Sequence, residues 1–275
     1  MLSIVILSSD GYSDCWDPLF YTLKKYFSGI EKYEIILSTN TKSYSYPGLN
    51  ILSLANGMDT PWSKRLKMSL ERAKNDNVLV MVEDFILRSP IDTKILDDFL
   101  LLMNQSDKVD HIRLLAPLKK IKVATSEFDK LDQMEFDTEL RFTYLPGLWK
   151  KKTLLKYVKD YESPFMSERF GNIRSKIYKD GFYTVSKKYI EENGQFYDCE
   201  QSGVIFKGKW PRWVTAFFDK EGIEIDYSIR GFVTKEFRKE TRKKSKLELI
   251  KNPGSTLRSA LSIITLYFSS LINNK

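Results

Sequence analysis

Val78-Leu79-Val80-Met81-Val82, followed at once by Glu83-Asp84, decides how this chain folds. Five consecutive apolar residues with no polar alternate read as a strand buried on both faces, the habit of a parallel sheet covered by helices. Just upstream, Trp62–Ala73 sets Leu66, Met68, Leu70 and Ala73 among Lys64, Arg65 and Arg72, a basic amphipathic helix. Further back, Ser3–Leu7 is a β-branched strand ending in Ser8-Ser9-Asp10-Gly11, and Asp17–Phe27 is a helix stopped by Gly29. Tyr33–Leu37 predicts a strand closed by Ser38-Thr39-Asn40, and Leu49–Leu52 a weaker one. Downstream, Asp92–Met103 predicts a helix and Ile112–Leu115 a strand. Strands alternating with helices of this length predict parallel pairing and an α/β, doubly wound, mostly parallel sheet. Ligands in such sheets sit beyond the carboxyl ends of the strands. The second half is less regular: Leu140–Leu145 predicts a strand, Leu148–Tyr161 contains a helix, and Pro164–Ile177 is a loop entering a helix.

Composition narrows the chemistry. Hydrophobic residues form 42% of the 275, ample for a core and against disorder. Two cysteines, Cys15 and Cys199, make neither a disulfide framework nor a zinc site, and fit a reducing compartment. A single histidine, His111, argues against a Ser-His-Asp hydrolase or a multi-histidine metal centre, and reads as structural. Leu2–Leu7 lacks the basic flank of a signal peptide, and no window in the body approaches the roughly 20 apolar residues of a spanning helix. The net charge is +8, but residues 235–275 hold ten Lys/Arg against three Glu. The body is therefore nearly neutral, which disfavours a nucleic-acid-binding protein, as does the lack of a nucleic-acid motif.

Two carboxylates ending a fully apolar strand are costly to desolvate unless paired or metal-bound. Glu83-Asp84 is either a polar strand end capping the next turn or a site for Mg²⁺ or Mn²⁺, which would neutralise charge on a departing diphosphate. The run Gly57-Met58-Asp59-Thr60-Pro61-Trp62-Ser63, the basic helix, the strand and then Glu83-Asp84 resembles the nucleotide-sugar half of GT-A glycosyltransferases, a Rossmann-like fold. There the strand end carries an Asp-X-Asp-type metal and diphosphate site; this chain has Val82-Glu83-Asp84 instead. By that resemblance Ser8, Ser9 and Asp10 lie near the donor base and ribose, and Lys64 or Arg65 near the diphosphate. Leu145-Pro146-Gly147-Leu148-Trp149, then Ser163-Pro164-Phe165-Met166-Ser167-Glu168, resembles the acceptor half of glycosyltransferases of bacterial surface polysaccharide and lipopolysaccharide biosynthesis. The resemblance covers about two-thirds of the chain, in short, degenerate motifs. It implies a donor half over about 1–115, an acceptor half over about 116–234, and Glu168 as the base that deprotonates the acceptor hydroxyl. Direct displacement with one base inverts the anomeric centre. The alternative is that Glu168 caps a helix or pairs with Arg169 or Arg174, with Asp198 and Glu200 as substitutes. Trp149 and Phe165 are the aromatics expected to line the acceptor cleft.

The tail, residues 235–275, is a basic run through Lys246 followed, after Pro253-Gly254, by Leu257, Leu261, Ile264, Phe268 and Leu271 at helical steps. Ile263, Leu266 and Tyr267 widen that stripe. A basic segment and an apolar helix fit an anionic membrane surface, with a helix docked on the domain or a dimerisation helix as alternatives. The expectation is a cytoplasmic enzyme, peripheral on the inner face of the membrane, with a nucleotide-sugar donor and a saccharide or lipid-linked acceptor. A catalytically inactive scaffold of the same fold is the competing reading.

Overall fold

The computed structural model describes residues 1–244 and 251–273. Its centre is a strand buried along its whole length, β1 (Leu2–Leu7), flanked in parallel register by β2 (Glu34–Thr39) and β4 (Asn77–Val82). β3 (Ile51–Ala55) adds in parallel outside β2. The connecting helices are α1 (Trp16–Tyr26), α2 (Trp62–Arg72) and, after β4, α3 (Thr93–Gln105). Asp92 caps α3 by accepting from the amides of Lys94 and Ile95.

Strand alternation sorts these residues into two cores. Ile4, Ile6, Ile35, Leu37, Leu79 and Met81 face a layer built from α1 and α3. Their neighbours Val5, Leu7, Ile36, Val78 and Val80 face the opposite layer, with Leu66 and Leu70 of α2. Burial on both faces is why the middles of these strands are apolar on both sides of the chain.

The second half extends the same sheet. β5 (His111–Arg113), β6 (Val123–Thr125), β7 (Leu131–Met134), β8 (Gly147–Lys150) and β9 (Phe182–Val185) complete nine strands in the order β3-β2-β1-β4-β8-β5-β9-β7-β6. β8 runs antiparallel between β4 and β5, and β5 pairs in parallel with β9. The β6–β7 hairpin closes that edge. The sheet is thus parallel where the sequence reads most clearly and mixed beyond β4. It is continuous across the boundary between the expected halves. α4 (Lys151–Tyr157), α5 (Pro164–Tyr178), α6 (Lys187–Asn193) and α7 (Val214–Glu221) follow. A third, smaller core joins Cys15, Ile86, Val204, Ile205, Trp210, Val214 and Phe218.

Two expectations are corrected. Leu140–Leu145 is irregular, because its backbone is held by a helix and not by a strand. Phe142 donates to Asn172 Oδ1, Asn172 donates back to the Phe142 carbonyl, and Tyr144 donates to Glu168 Oε1. Pro164–Ile177 is helical from its first residue, with the Ser163 hydroxyl accepting from the Met166 amide and Pro164 opening the helix.

The tail contains α8 (Lys235–Lys244) and α9 (Pro253–Asn273); Lys246 lies outside the described residues. α9 is long and apolar enough, by length and composition, to cross a membrane. It docks on α5 through its small polar face, where Ser259 is fully buried and donates to Glu162 Oε1 at 2.8 Å. Ile263 and Leu266 are half-buried, whereas Leu257, Leu261, Ile264, Phe268 and Leu271 are exposed. A helix docked on a soluble domain ordinarily buries its apolar face; this one turns that face outward.

Candidate active site

The chain runs from β1 outward to β2 and β3, then returns to β4 on the other side of β1. That reversal opens a crevice at the carboxyl ends of β1 and β4. Leu7 and Val82 are the last register partners, so Ser8 and Glu83 emerge side by side. A cavity of about 500 Å³ lies there, lined by Ser8, Ser9, Glu83 and Asp84 and closed by Arg65, Phe165, Glu168 and Lys207.

Ser8 is held from two sides. Its hydroxyl accepts from the Trp16 indole at 2.8 Å and its carbonyl from Arg65 Nη1 at 2.6 Å. Arg65 is buried, with Nε unpartnered. Burial lowers its pKa, opposed by the charges of Glu83 and Asp10.

Neither Glu83 nor Asp84 has an ion-pair partner among the described residues. Burial, and then the neighbouring Asp84 charge, push Glu83 up to about 8. Burial pushes Asp84 up to about 7, opposed by hydrogen bonds from its own backbone amide and that of Ile205 and, last, by the Arg230 charge. Arg230 is spent elsewhere, donating Nε to Asp14 at 2.7 Å and lying 4.4 Å from the centre of the Tyr12 ring. Asp84 sits against Gly203: a Cβ there would lie 2.1 Å from Asp84 Oδ2, and the backbone φ is +72°. The pair is thus a buried acidic site without a cationic partner, and a divalent cation would favour its ionised form. Among the described residues no cluster of three or more His, Cys, Asp or Glu could hold a metal. The donor set therefore fits an ion that takes two protein carboxylates and completes its shell with phosphate and water oxygens.

Glu168 lies on the first turns of α5. Its Oε1 accepts from the Tyr144 amide at 2.9 Å, and its Oε2 has no protein partner among the described residues. Burial raises its pKa, while the Tyr144 amide and the fully buried Arg113 oppose that. Phe165 is exposed at the cavity mouth. Arg174 pairs with Glu162, not with Glu168. Asp198 and Glu200 both face Arg88, at 2.7 and 3.8 Å, which leaves neither free to act as a base.

Three expected residues stand apart from the cavity. Trp149 is fully buried, its ring 3.7 Å from that of His111 and packed against Phe142 and Phe182. It is a core residue and does not line an acceptor cleft. Gly147 in the same motif makes room for His111, since a Cβ there would lie 2.5 Å from the imidazole. His111 is buried and structural, its Nδ1 2.9 Å from the Leu148 carbonyl. Lys64 points to solvent from α2 and is not among the lining residues. Asp10 is occupied by the turn after β2, accepting from the amides of Asn40, Thr41 and Lys42 and from the Thr41 hydroxyl. Burial acts against it, but these bonds prevail and lower its pKa.

Tyr12, Trp62, Tyr144 and Lys207 also line the cavity and were not singled out from the sequence. Lys207 had a signal in the turn-forming Lys207-Gly208, whose residues both take positive φ. Tyr144 had none, because its place depends on Glu168 across 24 residues.

No family model and no curated protein matches this chain. Among solved structures, it is similar to S. aureus TarS at 12% identity and TM-score 0.45, over 68% of this chain and 35% of that one. S. aureus TarS 1-349 in complex with UDP-GlcNAc matches at 11% identity and TM-score 0.44, over 97% and 81%. The 2-C-methyl-D-erythritol 4-phosphate cytidylyltransferase from Thermus thermophilus matches at 13% and 0.44, over 80% and 98%. The chain thus spans about a third of the first of these. At that level of likeness, fold and site rest on the topology and geometry above.

Proposed function

We propose that this chain is a nucleotide-sugar-dependent glycosyltransferase of bacterial surface-glycan assembly, transferring to a saccharide or lipid-linked acceptor. The observation that carries the reading is the convergence of Glu83, Asp84 and Glu168 on one cavity at the switch point of the sheet, beside Arg65 and Lys207. Leaving-group stabilisation and acceptor deprotonation need an electropositive or metal-binding end and a free carboxylate oxygen, and Arg65 and Lys207 beside the acidic pair, with Glu168 across the cavity, support that reading.

In the proposed reaction Ser8 and Ser9 border the nucleoside, and Arg65 and Lys207 face the diphosphate. Glu83 and Asp84 would hold Mn²⁺ or Mg²⁺, which when bound neutralises charge on the departing diphosphate. Glu168 Oε2 takes the acceptor proton as that oxygen attacks the anomeric carbon and the carbon–oxygen bond to the diphosphate breaks. Attack from the face opposite the leaving group inverts the centre. A second cavity of about 480 Å³ shares Phe165 and Glu168 with the first and runs past Leu140, Arg169, Asn172 and Ile173. A base that borders two adjoining cavities is suited to an acceptor in one and a donor in the other. The outward apolar stripe of α9 and the basic α8 support a place at the inner face of the cytoplasmic membrane.

The test is calorimetric titration with UDP and GDP, with and without Mn²⁺. Metal-assisted binding that weakens in Asp84→Ala supports the donor site. Silence towards these and towards CMP and dTDP refutes it and favours the inactive scaffold.

A further inference from the structure

Away from the active site, a second crevice of about 500 Å³ is formed where α2, the end of α4 and the end of α5 meet, lined by Lys67, Lys156, Lys159, Tyr161 and Tyr178 among others. Its charge is one-sided. Lys67 has Asp160 at 3.5 Å, and Lys156 has Asp180 at 2.6 Å while lying over the Tyr178 ring. The Lys159 ammonium has no hydrogen bond or ion pair among the described residues. Arg258 adds a fourth cation at the rim, 6.0 Å from the centre of the Tyr161 ring. Four cations against two carboxylates leave two positive charges uncompensated in a concave, tyrosine-lined site. Burial, and then the Arg174 charge, lower the pKa of Lys159, with Lys67 adding to them and Glu162 and Asp160 pulling the other way.

The place of this crevice indicates what fills it. Arg258 lies on the first turns of α9, next to Ser259, whose bond to Glu162 fixes the helix on the body. Glu162 directly follows Tyr161 in the chain. The crevice therefore opens at the root of the helix that turns Leu257, Leu261, Ile264 and Phe268 to solvent. An anionic group bound there sits beside an apolar surface, and a lipid carries both chemistries in one molecule.

We propose that Lys67, Lys159 and Arg258 form a binding site for the phosphate of an anionic lipid headgroup. The site seats the body of the protein on the membrane in one orientation. This rests on the membrane reading of α9 and adds to it a specific, saturable contact from the folded domain. Each lysine near an anionic surface contributes about 1 kcal/mol, or about fivefold in affinity, so the pair Lys67 and Lys159 accounts for about 30-fold.

The experiment is co-sedimentation of the full chain with phosphatidylcholine vesicles, with and without phosphatidylglycerol. The comparison is wild type against Lys67→Gln with Lys159→Gln, against Lys187→Gln with Lys188→Gln on exposed α6, and against Leu261→Glu with Phe268→Glu. We expect about a 30-fold loss for the crevice pair on phosphatidylglycerol vesicles, with unchanged far-ultraviolet circular dichroism, and a change of no more than a few-fold for the α6 pair. Equal losses from the two lysine pairs would mean diffuse charge and overturn the site. Displacement of wild type by free glycerol phosphate at concentrations matching the vesicle lipid would make it a soluble-phosphate site and overturn the lipid assignment. Loss in the α9 variant with none in the crevice pair refutes the crevice alone. Retention in the α9 variant refutes the membrane reading beneath it.

Discussion

Glu83→Gln isolates the energetics of the buried acidic pair without touching the sheet. In the folded chain Glu83 is pushed up to about 8 and Asp84 up to about 7, from ordinary values of 4.5 and 3.8. Between about pH 5 and pH 8 the folded state keeps protons that the unfolded chain has already released, so stability falls as pH rises. Each retained proton contributes a slope of up to about 1.4 kcal/mol per pH unit. The two sites titrate as a pair, and Asp84 is partly open to solvent, so we expect a loss of about 3 kcal/mol across the window in wild type. Glu83→Gln should remove about half of that slope and be the more stable protein at about pH 8. Urea unfolding followed by tryptophan fluorescence at half-unit intervals of pH measures both. Adding Mn²⁺ at the alkaline end should raise the stability of wild type more than that of the variant. Identical slopes in the two proteins, or a wild type that gains stability towards pH 8, would refute the view that these carboxylates are buried without compensation.

Glu168→Gln should leave nucleotide binding intact and lower transfer by about 10² to 10⁴-fold, and transfer at the wild-type rate would remove Glu168 as the base. Gly203→Ala changes no carboxylate but drives a methyl group into Asp84 and forces alanine to positive φ. We expect about 1–2 kcal/mol of lost stability and about a tenfold weaker Mn²⁺-assisted nucleotide affinity by calorimetry, whereas unchanged affinity would show that Asp84 is not a ligand. Trp149→Phe should cost about 1–2 kcal/mol in unfolding with no change in acceptor KM; a raised KM at unchanged stability would return the ring to the acceptor cleft.

The parts of the fold legible in the sequence are those where local pattern and tertiary environment agree. Leu2–Leu7 and Asn77–Val82 are apolar at almost every position because helices cover both faces, and Asp92 announces α3 by its capping chemistry. The β6, β7 and β9 strands carry no such mark. They are three or four residues long, and Asp132-Gln133 or Tyr183-Thr184 are chosen by partners far along the chain. Leu140–Leu145 misleads for a related reason: its aromatic run satisfies its amides on Glu168 and Asn172 of α5. In the site, the strand ends Ser8-Ser9 and Glu83-Asp84 follow from where apolar runs stop. The fate of Trp149 does not, since a tryptophan after a turn reads alike whether it faces a ligand or, as here, the stacked His111.

Glu162 gives the helical layer a common joint. Its carbonyl takes the Ser63 hydroxyl of α2 at 2.7 Å, and its carboxylate takes Arg174 of α5 and Ser259 of α9, all buried. α2 carries Arg65 and α5 carries Glu168, so the groups proposed for the departing and the attacking oxygen stand on two separate beams pinned at one residue, the first by its carbonyl and the second by its carboxylate. A close-packed interior passes displacement on instead of absorbing it. A slip of about 1 Å at that pin is enough to misalign reacting atoms and cost about 100-fold in rate. The alignment of the chemistry is therefore in the keeping of a residue outside the cavity, and a load on the terminal helix has a mechanical route to both sides of the bond being made.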